Sequence, residues 1–326
     1  MTALLRTALF LLGLTPLLAE VTNVEIVPRA TDPAIGEEFN APHHIYLNRG
    51  IVVDHETGLV PDRHELLLFL PGTNGTGAGA KAFCRLAADL GYHVINLTYP
   101  TKIAATVCGN DEDPKAFAEF RLALIEGGKT RHITIERADS IENRLIKLLT
   151  LLAARRPREN WEQFLNPDQS IKWAAIAVAG QSRGGGHAAL IALRHRVARA
   201  VCTGAPKDYS KRLDAPAAWY GDAPATPKAL IFTFNHRQDP QGCTPAQLLR
   251  NLSALKLDEL GAPVDVAVES PPYHHSRALL TSFPLVSDPV VPGNPSARTA
   301  HGSVISDGNA ERWKPVWTYL LTEKTP

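Results

Sequence analysis

Residues Ala174 to Gly186 read Ala-Ala-Ile-Ala-Val-Ala-Gly-Gln-Ser-Arg-Gly-Gly-Gly. A short apolar strand pattern runs straight into Gly180-Gln181-Ser182-Arg183-Gly184 and then into a helix pattern bearing Ala188, Leu190, Ile191 and Leu193. A turn this sharp between strand and helix needs flanking positions without side chains, and Gly180 and Gly184 supply them. Such a turn holds its central serine in a strained conformation, lifts the Ser182 hydroxyl above the sheet edge and points the Arg183 N–H at the space in front of it. The same five residues could also be a plain glycine-rich turn between packed elements. The strand before and the helix after form the context that favours chemistry.

The rest of the chain extends that context. From residue 65 onward strand patterns alternate with helix patterns, which predicts a mostly parallel central sheet with helices on both faces. The expected strands are Glu65 to Leu70, His93 to Thr98, Ala200 to Thr203, Ala229 to Phe234 and Val264 to Val268, with one or two edge strands from the N-terminal stretch that includes His43-His44-Ile45-Tyr46-Leu47. Expected helices are Ala78 to Leu90, closed by Gly91, and a long one with Ile141, Leu145, Leu148, Leu149 and Leu152 on one face, ended by Pro157. A further helix lies around Leu248 to Leu255. The last carries Trp313, Val316, Trp317, Leu320 and Leu321, with Pro315 expected in its first turn. The connection 100–136 contains Cys108 and Asp111-Glu112-Asp113, and reads either as a lid or pocket wall or as a surface insertion.

Composition narrows the function classes. The 326 residues are 44% hydrophobic and 21% charged, enough for one large α/β domain. A formal charge of +1 leaves no basic field for nucleic acid. Neither a His-Glu-x-x-His nor a Cys-x-x-Cys nor a phosphate-cradling Gly-x-x-x-x-Gly-Lys-Ser/Thr occurs, so no cofactor or metal is implied. Met1 to Ala19 has Arg6, an apolar run from Ala8 to Leu14 and Leu17-Leu18-Ala19 before Glu20, which resembles a secretory signal peptide, an uncleaved N-terminal anchor being the alternative. The expectation is therefore a single domain over 20–326, periplasmic or secreted, without a membrane span in the mature chain. Four cysteines, Cys84, Cys108, Cys202 and Cys243, suit an exported chain with disulfides, the alternative being four buried thiols. The Asn-x-Ser/Thr sites at Asn74, Asn96 and Asn251 read as chance, since Asn96 falls in an expected strand and Asn74 in the loop facing Ser182.

The elbow, the strand Leu66-Leu67-Leu68-Phe69-Leu70 delivering Pro71-Gly72-Thr73, Trp173 at the head of the elbow strand and the terminal Trp317-Thr318-Tyr319-Leu320-Leu321 helix together resemble the α/β-hydrolase superfamily over about residues 40 to 323. The chain looks like an exported bacterial branch of it. The resemblance implies the α/β-hydrolase fold and a serine hydrolase acting through an acyl-enzyme on a small-molecule or polymeric ester. Acyl transfer and amide or peptide hydrolysis would use the same residues, and a non-catalytic binding protein on the same fold is the alternative outside enzymology. In that superfamily the order is serine, acid, histidine. Asp239, just past the strand ending at Phe234, is then the expected acid, with Asp208 after the preceding strand as the alternative. His274, His275 and His301 all follow Asp239; His301 is preferred as the base because its loop leads into the terminal helix, with His275 as the alternative. The oxyanion donors would be the N–H of Arg183 and one from the Pro71-Gly72-Thr73 loop, where Pro71 has none and Thr73 is preferred over Gly72. His43, His44 and His187 read as packing residues. The strand order implied by the resemblance suggests the pairs Cys84–Cys108 and Cys202–Cys243.

Overall fold

A computed structural model describes residues 20–53, 60, 62–285 and 299–324. The proposed signal peptide, and most of the proline-rich stretch from Pro284 to Pro295, lie outside the described residues. Nine strands form one sheet: β1 (Val21–Ile26), β2 (His43–Asn48), β3 (Leu66–Leu70), β4 (His93–Asn96), β5 (Ile176–Gln181), β6 (Arg199–Thr203), β7 (Ile231–His236), β8 (Val264–Asp265) and β9 (Ala278–Thr281). Their order is β1-β2-β4-β3-β5-β6-β7-β9-β8. β2 runs antiparallel to both its neighbours, and every pairing from β4 to β8 is parallel.

A parallel strand covered on both faces has no wet side, so it reads as a continuous apolar run. Leu66, Leu68 and Leu70 enter one core layer while Leu67 and Phe69 enter the other. Helices α1 (Lys81–Asp89) and α7 (Ala310–Thr322) close the layer that holds Leu67. On the opposite face lie α2 (Ala116–Glu126), α3 (Ile141–Arg155), α4 (Arg183–Arg194) and α5 (Pro245–Ala254). Local chemistry fixes where two of these start: the Ser140 hydroxyl accepts from Asn143 N at 3.2 Å, and Thr244 and Gln247 form a reciprocal capping box with Pro245 in the first turn. The chain is thus an α/β protein whose large, mostly parallel sheet is flanked by helices on both faces.

Several expectations change. The interval Val264 to Val268 contributes only the two-residue edge strand β8, and the inner strand is β9, inserted between β8 and β7. β9 escapes a periodicity reading because it is four residues long and buried on both faces. The N-terminal stretch supplies two strands at one edge of the sheet, β1 outermost and β2 just inside it. Pro315 is the sixth residue of α7, in its second turn. The connection 100–136 contains α2, which buries Phe117, Phe120 and Leu124 in the core against α3 and α4, and its Ala105, Phe117 and Arg121 line a large cleft, as a pocket wall would. All four cysteines are buried free thiols. Cys84 lies in the α1/α7 layer and Cys108 in the other, so the sheet separates that suggested pair; Cys202 and Cys243 share a layer but are not bonded. No helix of the described residues is long and apolar enough to cross a membrane.

Candidate active site

Ser182 caps α4 with φ 56° and ψ −117°, a region a residue with a Cβ rarely enters. Such a conformation costs on the order of 1–3 kcal/mol and persists only where neighbours impose it. Here the neighbours are glycines packed against backbone. A Cβ on Gly184 would collide with the Leu70 carbonyl, and one on Gly180 with the Gly184 backbone, so α4 can reach the end of β3 only with both absent. Ser182 N donates to Thr203 O at 2.8 Å, and Gly186 N to Ser182 O at 3.0 Å, fixing the turn from both sides.

β7 ends at His236, and the loop beyond it buries Asp239. Asp239 Oδ2 lies 2.8 Å from His301 Nδ1. A ring nitrogen facing a carboxylate carries the proton, so Nε2 presents its lone pair. That Nε2 is buried and has no hydrogen-bond partner, and His301 and Ser182 line the same cleft of about 660 Å³. His301 sits in α6 (Ala300–Ser303), started by Thr299 Oγ1 accepting from Gly302 N at 3.1 Å. The indoles of α7 hold this segment: Trp313 Nε1 donates to Ser303 O at 2.6 Å and Trp317 Nε1 to Val304 O at 3.0 Å. The two tryptophans are thus core residues that also place the imidazole.

A cation completes the group. Lys207 Nζ is 2.7 Å from Asp239 Oδ2 and donates to Asp239 O at 3.1 Å, while Gln241 N donates to Oδ1 at 2.9 Å. Burial pushes the Asp239 carboxyl up, but the hydrogen bonds and charges of His301 and Lys207 outweigh it and hold it below the usual carboxylate value.

The alternative candidates are occupied elsewhere. Asp208 is gripped by Arg121, with Nη2 2.5 Å from Oδ1 and Nε 2.6 Å from Oδ2, and also accepts from Trp219 Nε1 at 3.1 Å. His275 lies on the turn Tyr273–His275 before β9, whereas Asp239 follows β7; since β7 and β9 are parallel, His275 is at the opposite end of the sheet. Its Nδ1 pairs with Glu323 at 2.6 Å, and His274 pairs with Glu269 at 3.3 Å. His187 is buried on α4, edge-on to Tyr99.

For an oxyanion, Arg183 N is the first amide of α4 and has no partner within the helix. Thr73 lines the cleft, and among the described residues no backbone hydrogen bond uses its amide; the neighbouring amides of Asn74 and Gly75 are engaged by Thr101 O and Gly72 O. Tyr99 Oη donates to Pro71 O at 2.7 Å and anchors this loop. The Arg183 guanidinium turns away, donating to the carbonyls of Ile103 and Pro100, so only its backbone faces the site.

Two residues here escaped the sequence reading. Lys207, after Ala205-Pro206, carries no pattern that would mark it. Arg121 did leave a trace, as a lone charge in the apolar run Phe117 to Ile125. It also explains the third glycine after the elbow: a Cβ on Gly186 would strike the Arg121 guanidinium, which reaches past it to the Arg183 carbonyl at 2.9 Å. No protein-family model matches this chain, and a search of curated proteins finds no match.

Proposed function

We propose that the chain is a serine hydrolase of the α/β-hydrolase fold, acting on carboxylic esters through an acyl-enzyme. The observation that carries this reading is Ser182, strained at φ 56° at a helix N-terminus, opening on the same cleft as the unpartnered Nε2 of a His301 whose other nitrogen is held by Asp239. Serine oxygen is a poor nucleophile at neutral pH and needs a base with a free lone pair in front of it. In the proposed cycle Nε2 takes the Ser182 proton as Oγ attacks the ester carbonyl. The oxyanion is received by the amides of Arg183 and Thr73, and the protonated imidazole, stabilised by Asp239, returns its proton to the departing alcohol. Water then repeats the sequence on the acyl group, His301 again acting as base and Ser182 leaving. An alcohol in place of water would make the same residues an acyltransferase.

The test is covalent labelling with a fluorophosphonate, together with turnover of short aryl esters. Wild-type protein is expected to label at Ser182 and to hydrolyse the esters, and folded Ser182→Ala to lose turnover by a factor on the order of 10⁴ to 10⁶. Folded wild-type protein that neither labels nor turns over any ester of the series would sink the enzymatic reading in favour of a binding protein. Export, tested by mass of the mature N-terminus, is part of the same proposal.

A further inference from the structure

A triad acid needs only to accept one hydrogen bond from its histidine, yet Asp239 also carries a buried ammonium. The Lys207 side chain is 8% exposed and that of Asp239 not at all, and both Lys207 and His301 contact the same oxygen, Oδ2. The loop after β7 closes over the lysine: a Cβ on Gly242, at φ 84°, would come within 3.2 Å of Lys207 Cβ. This cation is built in. We propose that Lys207 is a positioning residue that tunes the base through the acid: it draws negative charge from Asp239 Oδ2, so that His301 gives up its proton, and becomes competent as a base, at lower pH than it would beside an unpaired aspartate. This rests on the assignment of Ser182, His301 and Asp239 as the reacting group.

The physical argument is one of field. An isolated buried carboxylate strongly stabilises an imidazolium beside it. A second cation on the same oxygen, 2.7 Å from it where the imidazole is 2.8 Å away, offsets much of that attraction and repels the imidazolium directly. Other charges that face the group do not do the same work. Asp208, next in sequence, is neutralised by Arg121; the Cys243 thiol of the loop is pushed up to about 12 by burial and stays neutral; the Arg183 guanidinium points to Pro100 and Ile103. Lys211, which also lines the cleft, is exposed to solvent, so Lys207 is the buried cation that shares Oδ2 with His301.

The experiment compares the full chain with Lys207→Met, which removes charge and hydrogen bonds, Lys207→Gln, which retains a donor without charge, and Lys207→Arg, which retains charge. Two readouts are used: the NMR titration of the His301 imidazole, assigned by its loss in His301→Gln, and the pH profile of fluorophosphonate labelling at Ser182. In Met and Gln the titration midpoint and the acid limb are both expected to move up by about one pH unit, with Arg near wild type. Folded Gln or Met protein in which neither moves, whatever its rate, overturns the proposal and leaves Lys207 a structural tether. Should Met fail to fold, Gln and Arg decide. Absence of labelling in wild type at every pH would instead sink the hydrolase reading, and the imidazole titration still reports on Lys207.

Discussion

Two aspartates follow adjacent parallel strands of this sheet, Asp208 after β6 and Asp239 after β7, and both are buried against a cation. Asp208 is closed. Both its oxygens are taken by the Arg121 fork and one also by an indole, an arrangement that rigidifies and has nothing left to give. Asp239 is open in one respect: its Oδ2 is shared between a lysine and an imidazole whose far nitrogen is unpaired in a cleft. Position at a strand end therefore does not tell the two carboxylates apart. What separates them is whether the network ends in a satisfied group or in a group able to exchange a proton.

The largest effect that could break this comparison is on the Asp239 side. Asp239→Asn can hold His301 with its proton on the wrong nitrogen, and turnover is expected to fall by about 10³ to 10⁴ in protein that still folds. The measurement is kcat/KM for an aryl ester alongside far-UV circular dichroism. A loss below tenfold would mean that Asp239 only packs.

How far these networks were legible follows from what each depends on. The elbow was readable because its constraint is local: strand, glycine, serine, glycine and helix are contiguous, and each glycine is required by backbone within a few residues or on the next strand. Asp239 and His301 could be proposed as partners from their order in a resembling superfamily, Asp239 on the loop after β7 and His301 on the short helix α6 that leads toward α7. Arg121 and Lys207 could not be given their roles, because those arise from pairings 87 and 32 residues away in sequence. The strand β9 failed for the opposite reason. Its four buried residues have no period of their own, and the apolar interval at Val264 to Val268 drew the strand assignment to what is only the sheet edge.

On the Asp208 side the expected damage is to stability. Asp208→Asn leaves the Arg121 guanidinium buried beside a neutral group and should cost about 3–5 kcal/mol in urea unfolding, since breaking one member of a buried pair exposes the other's desolvation. Turnover per folded molecule should remain within about tenfold. Intact stability with a thousandfold loss of turnover would reverse the roles of the two aspartates. A smaller version of the same test is Gly186→Ala, whose Cβ falls where the Arg121 guanidinium lies. Displacing that side chain should cost about 1–3 kcal/mol, typical of overpacking a filled site. No measurable change in the urea midpoint would show that Arg121 moves aside freely and is not a fixed strut behind the elbow.

The smallest expected effect falls on the other histidine–carboxylate pair, His275 with Glu323, which has the same kind of short contact as His301 with Asp239. The two pairs differ in setting. The His275 side chain is 57% exposed, and it precedes β9, at the end of the sheet from which the parallel strands start; Ser182, Asp239 and the cleft lie where β5 and β7 finish. A mostly exposed ion pair is screened by water and contributes about 0–1 kcal/mol. His275→Ala should therefore leave fluorophosphonate labelling and aryl-ester turnover within about twofold of wild type, while His301→Ala abolishes both. A variant lacking His275 that folds but no longer labels would place the base at the wrong end of this sheet, and with it would fall the assignment of His301, of the cleft and of Asp239 as its acid.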